Sequence, residues 1–250
     1  MNPTEIALVI FGLTFGGAVL GMSIRKRLPD HHLNPDSRDV VKLAIGTVAT
    51  LSALVLGLLV ASAKGSFDTR DSELRQFAAN IILLDRQLVQ YGPEAQTARE
   101  TLRRYTNYKI DATWRSQASS SVVDPNGWTL LENVQGMIRA LTPLTEGQRA
   151  LKSRALEISG ELARGRWLLA LQSGTSVSSA FLWILVFWLA VIFTSFGLLT
   201  PPNATVLAAL LVCTLSVSAA IFLILEMERP FNGLIQISSA PMREALDYLR

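Results

Sequence analysis

The chain has 250 residues, half of them hydrophobic, with 23 Lys+Arg against 20 Asp+Glu, a formal net charge of +3 and a single cysteine. A charge so nearly balanced offers no basic stripe for nucleic acid, and the lone Cys213 excludes an internal disulfide. Asp, Glu, Lys and Arg are absent from residues 6–24, 43–63 and 167–225, which excludes an ordinary soluble domain.

The first gap predicts a membrane helix over about 4–24. A helix rises about 1.5 Å per residue, so roughly 20 apolar residues cross a hydrocarbon core of roughly 30 Å. In lipid every backbone polar group has to be satisfied within the segment, which rules out strands of a soluble core. The basic cluster Arg25-Lys26-Arg27 follows the apolar stretch, whereas a cleavable signal peptide carries its charge in front, so the helix is expected to stay as an anchor. Gly12 and Gly16, and Gly17 and Gly21, have the spacing that lets helix backbones approach. In the loop that follows, His31 and His32 stand near Asp30, Asp36 and Asp39. Adjacent His side chains on an extended loop diverge, so a solvated loop is expected rather than a metal or pH-sensing site, and no metal or cofactor is expected.

The second crossing is predicted over about 41–63, completing a membrane region 1–63. Gly46, Thr50, Ala53, Gly57 and Ala61 fall along one face, with Thr47, Leu54 and Ser62 beside it. Such a face serves either tight packing, on the first or last membrane helix, or the lining of an aqueous path. Past Lys64 the helix is expected to continue as a stalk. Phe67, Leu74, Ile81 and Leu88 recur every seven residues, and Phe77, Leu84 and Tyr91 fill the positions between, a heptad stripe suited to holding an oligomer. Gly92-Pro93 ends it.

Residues 64–175 are predicted to form an all-helical extramembrane domain. One helix carries Ala98, Leu102, Tyr105 and Ile110 to about Trp114; a Ser-rich stretch closes with the turn signal Asp124-Pro125-Asn126-Gly127; a helix follows over about 129–141. Thr145-Glu146-Gly147-Gln148 has capping-box spacing and opens a helix to about residue 172.

The third gap holds two crossings, about 178–199 and 204–226, within a membrane region 176–228 and joined at Pro201-Pro202-Asn203. The former is bulky, with Phe181, Trp183, Phe187, Trp188, Phe193 and Phe196, and is expected to face lipid. The latter carries Ala209, Cys213, Ser216 and Ala220 on one face, with Cys213 expected to be a small buried hydrophobe. The sequon Asn203-Ala204-Thr205 is read as fortuitous. Glu226 and Glu228 at the membrane edge should be wet, paired with Arg229, or part of an ion entrance. Pro230 must end the helix. Residues 229–250 then read as an interfacial apolar segment, Phe231, Leu234, Ile235 and Ile237, and a short amphipathic helix with Met242, Leu246 and Leu249 on one face.

Catalytic signatures are missing: there is no His-Glu-x-x-His, no Gly-x-Ser-x-Gly and no phosphate loop, so no enzyme activity is expected. The long motif 54–68, with Leu28-Pro29-Asp30-His31-His32 before it and Glu228-Arg229-Pro230-Phe231-Asn232-Gly233 near the end, resembles the bestrophin-like bacterial membrane-protein family. The resemblance covers nearly the whole chain. It implies a pentameric ion channel, for anions before cations, with four membrane helices per subunit, a helical domain between the second and third, and a pore lined by the second. The aromatic neck of animal bestrophins has no clear counterpart in Leu56-Gly57-Leu58-Leu59-Val60, so no selectivity residue is carried over.

Sequence and resemblance together predict an all-α, multi-pass protein of the bacterial inner membrane whose partners are inorganic ions, the lipid bilayer and further copies of itself, and not nucleic acid. The pore-lining candidates are Gly46, Thr47, Thr50, Ala53, Leu54, Gly57 and Ala61, and the pore-mouth candidates Lys64, Glu226, Glu228 and Arg229. The alternative is a non-conducting membrane scaffold or signalling partner. Arg25, Lys26, Arg27, Arg38 and Lys42 favour the first loop inside, which puts the 64–175 domain outside; the resemblance implies the opposite orientation.

Overall fold

The computed structural model describes residues 2–27, 35–115, 125–171, 179–201 and 203–249; His31, His32 and the greater part of the Ser-rich stretch lie outside them. The regular elements among its described residues are all helices, without a strand. Four helices are long and apolar enough to cross a membrane: α1 (Pro3–Arg25), the apolar part of α2 (Pro35–Tyr91), α6 (Ser179–Leu199) and α7 (Ala204–Met227). Their starts follow from local chemistry. Pro3 occupies the first turn of α1, where an N–H would be unsatisfied anyway, and Asn2 N–H donates to Glu5 Oε2 at 3.0 Å. Asn203 Oδ1 accepts Val206 N–H at 2.7 Å, so the asparagine of the sequon is the N-cap of α7.

The chain divides into two units, the first comprising Met1–Ser66 and Ser176–Arg229. Within it α1 packs on α6 and on α7. The α1–α6 approach is backbone to backbone. A methyl group added at Gly21 would overlap Thr194 O, one at Gly197 would overlap Ala18 O, and one at Gly17 would lie 2.7 Å from Thr194 Oγ1. Gly12 and Gly16, by contrast, look onto open space, so only the second half of the glycine ladder is used inside the chain.

This corrects the expectation for α6. Phe181, Trp183 and Phe187 are indeed exposed, but Leu185, Val186, Leu189, Ile192 and Phe193 are buried, and Gly197 admits α1. Bulk on one side hid a second, packing side. Cys213 is likewise not buried but exposed, on the outward side of α7 with Ala209 and Ser216. The side of α7 that faces inward is formed by Leu210, Thr214, Ser218, Ile221 and Ile224, and the fully buried Thr214 hydroxyl donates to Leu210 O at 2.9 Å. The outer surface of this unit is apolar, Leu8, Trp183, Phe187 and Val212 all being exposed, as lipid-facing side chains are.

The second unit comprises Phe67–Thr175 and Pro230–Arg250. The charged half of α2 is joined there by α3 (Gln96–Ile110), α4 (Pro125–Ala140), α5 (Glu146–Leu171) and α8 (Ala240–Tyr248). Leu74, Phe77, Ile81, Leu84, Leu88 and Tyr91 form one core with Leu102 and Tyr105 of α3, Val134 and Ile138 of α4, and Ile158 and Leu162 of α5. The heptad stripe is therefore covered by its own chain, which overturns its reading as an assembly seam. The chain turns back at Gly92, whose φ of 127° is a backbone shape other residues resist, and at Pro93, which opens a short 3-10 turn. Each fully buried Leu or Phe contributes roughly 1.5–3 kcal/mol, so the stripe is spent on folding the subunit.

Polar ties hold the helices in register. Asp85, almost fully buried, accepts two hydrogen bonds from Arg99, at 2.8 and 3.3 Å. Thr145 Oγ1 accepts Gln148 N–H at 3.1 Å, as the spacing predicts, while Gln148 Oε1 reaches back past the cap to accept Leu144 N–H at 2.8 Å. Gln148 Nε2 also donates to Tyr91 O at 3.1 Å, tying the start of α5 to the end of α2. Helix α4 begins at Pro125, earlier than the turn signal suggested, because proline's fixed φ suits a first helical turn as well as it suits a turn.

Beyond α7, Ile237 N–H donates to Pro230 O at 2.8 Å and closes a loop. Phe231 and Ile237 pack on the core of the second unit, where Trp114 donates to Ile237 O at 2.9 Å and meets Phe231 edge-on; Leu234 and Ile235 at the tip are exposed. Met242, Ala245 and Leu249 of α8 enter the same core, with Leu246 at its margin.

Candidate functional site

Helix α2 is about 85 Å long at about 1.5 Å per residue, and its apolar part is the place where the sequence concentrates small and hydroxyl-bearing residues. Within the first unit it buries Ile45, Ser52, Leu59 and Ala63, one seven-residue stripe with a final turn. The remaining circumference is at the surface of the chain. Gly46, Thr47, Thr50, Ala53, Leu54, Gly57 and Ala61 are all exposed, Leu54 by 61%. A Cβ added at Gly46 or Gly57 would meet nothing within 4 Å.

The structure thus distinguishes glycines packed within the chain from glycines left bare on it. On α1 and α6, Gly17, Gly21 and Gly197 are required because backbone lies against them. On α2 the glycines are not used for packing within the subunit, neither on α1 nor on α7. The threonines are chemically quiet toward their own helix: Thr50 Oγ1 donates to Gly46 O at 2.9 Å and Thr47 Oγ1 to Leu43 O at 3.1 Å, which satisfies their hydrogens inside an apolar medium. What remains is a narrow face of Cα hydrogens, methyls and hydroxyl oxygens, able to border either a close neighbour or water.

Of the mouth residues, Lys64 and Arg229 are exposed, whereas Glu226 and Glu228 are only 5% and 8% exposed. Both residues are therefore largely covered by the chain's own packing. The backbone turns here: Arg229 N–H donates to Glu226 O at 2.9 Å and Glu228 N–H to Ile224 O at 3.3 Å. No three of His, Cys, Asp and Glu converge on a metal-sized site among the described residues.

Sequence reasoning missed Gly197, although its position four residues from Phe193 on a helix otherwise full of bulk was a usable signal. It also missed that the small residues Gly46 and Gly57 of α2 and Ala209, Cys213 and Ser216 of α7 are exposed on the chain, because composition alone does not tell which side of a helix its own chain covers.

A family model described as a Bestrophin-like domain matches residues 12–242. A solved structure of a bacterial bestrophin homologue from Klebsiella pneumoniae carrying a point mutation is similar over 100% of this chain and 97% of that one, with a TM-score of 0.73 at 14% identity. Another mutant of a bacterial bestrophin homologue from Klebsiella pneumoniae gives a TM-score of 0.62 at 16% identity, covering 97% of each chain. A structure described as a membrane protein gives 0.63 at 16% identity, again covering 97% of each. At these identities the likeness is one of fold. No curated protein matches the sequence.

Proposed function

The chain belongs to the Bestrophin-like family, and from that premise we propose that it is a subunit of an oligomeric ion channel, a pentamer, in the bacterial inner membrane. Four membrane crossings are provided by α1, α2, α6 and α7, and the second unit, Phe67–Thr175 with Pro230–Arg250, is the extramembrane domain. The conducting path runs along α2, through Gly46, Thr47, Thr50, Ala53, Leu54, Gly57 and Ala61, with Lys64, Glu226, Glu228 and Arg229 at its mouth. Anions are favoured over cations by the family resemblance, not by any residue of this face.

One observation carries the reading: the small, hydroxyl-bearing face of α2 is bare on the single chain, with nothing within 4 Å of a Cβ at Gly46 or Gly57. Lipid tails supply no reason to keep such a face small, since they pack on Leu as readily. A ring of subunits does supply one, because each residue is then repeated around an axis and a polar lining lowers the barrier to a hydrated ion. A scaffold would use the same face for helix packing between subunits.

The test is a mass measurement in detergent joined to flux from liposomes. In a Cys213→Ser background, Thr50→Cys should react with small charged thiol reagents and the modified ring should pass ions at a different rate. A ring without flux would establish the scaffold instead. If cysteines at positions 46 to 58 all stay unreactive in a ring that conducts, the path is elsewhere, and the outward side of α7 with Ser216 takes its place.

A further inference from the structure

We propose that the cavity between α3 and α8 is a binding site for a small phosphate-bearing anion. It encloses about 630 Å³, within the range of small-molecule sites, and lies wholly inside the second unit. Helix α3 lines it with Arg99, Arg103 and Arg104 and with the amides of Gln96 and Asn107; Glu100 is its one carboxylate, and α8 contributes Leu246 and Leu249.

The charges of this lining are not equally available. Glu100 Oε1 accepts a hydrogen bond from Gln96 Nε2 at 3.3 Å, Gln96 Oε1 accepts one from Arg99 at 3.2 Å, and Arg99 holds the buried Asp85 through its other nitrogens. That chain of contacts orders one wall, and Glu100 keeps its charge there against the three arginines. Arg103 and Arg104 stand at the surface of the cavity and form no ion pair within the described residues.

Arg103 and Arg104, with Arg99 held in place beside them, offer guanidinium N–H donors of the kind that match the oxygens of a phosphate group. Leu246 and Leu249 give the cavity one apolar side. A ligand bridging α3 to α8 would also fasten the last helix of the chain to the domain. The same phosphate chemistry could be presented by a soluble phosphate compound or by the headgroup of an anionic lipid.

The full chain in detergent is titrated calorimetrically with pyrophosphate at low ionic strength, alongside Arg103→Gln/Arg104→Gln and the control Arg139→Gln on α4. Both substituted sites are exposed, so the fold should persist, and an unchanged thermal melt checks it. Saturable binding that weakens by at least about tenfold in the double variant and stays unchanged in the control is the expected result. Absence of saturable binding, or equal binding by the double variant, overturns the proposal. In nanodiscs, competition from phosphatidylglycerol that disappears in the double variant assigns a lipid headgroup as occupant; unaltered pyrophosphate binding beside that lipid assigns a soluble one.

Discussion

From Leu74 to Tyr91, α2 buries a large apolar side chain at two positions of each heptad, and residues of the same chain provide the cover; from Gly46 to Ala61 the same helix leaves its small face bare. The difference follows from the solvent each half is built for. In water, exposed Leu and Phe side chains are costly, so the chain returns through α3, α4 and α5 to enclose them. In lipid no such force acts on a small face, and a helix can present glycines outward without instability. A repeat of seven therefore does not disclose whether its partner is a second copy or the chain itself, and a stripe of small residues does not disclose whether backbone lies against it, as at Gly21, or it is left bare, as at Gly57.

The sharpest way to break this comparison is Leu84→Asp, which puts a charge at a position with 0% exposure. A loss of about 5 kcal/mol or more is expected, seen as rapid proteolysis of the second unit and loss of its cooperative melt. If the variant melts as wild type and changes only its mass in detergent, the stripe is an assembly seam after all.

Next in size is a pair of like substitutions in unlike places. Gly21→Leu drives a side chain into Thr194 O and should cost about 3 kcal/mol or more by separating α1 from α6, reported by detergent melting of the purified subunit. Gly57→Leu meets open space and should leave that melt unmoved while altering assembly or flux. Equal melting of both would erase the distinction between packing glycines and bare ones.

Within the second unit, Arg99→Ala leaves Asp85 buried without its guanidinium. A cost of about 3 kcal/mol is expected in a denaturant titration, and Arg99→Ala with Asp85→Asn should recover part of it. The smallest effect sought is at the start of α5: Thr145→Ala removes the acceptor for Gln148 N–H and should cost about 1 kcal/mol, measured by the same titration. No change there would mean that Gln148, through Leu144 and Tyr91, holds the helix start alone.

Much of the architecture was legible in the chain because lipid and helix geometry leave few options. Charge-free stretches mark the crossings, Gly92-Pro93 marks the reversal after α2, and Thr145 with Gln148 marks a helix start, each through forces that act within a few residues. The family resemblance, too, rests on local motifs. What the sequence by itself could not decide is which side of each helix meets which neighbour. Periodicity names a face but not its partner, so the heptad stripe read as intermolecular proved intramolecular, α6 read as lipid-facing proved two-sided, and Cys213 read as buried proved exposed. Those outcomes depend on contacts between residues far apart in the chain, such as Gly21 with Thr194 or Gln148 with Tyr91, and tertiary packing alone sets them.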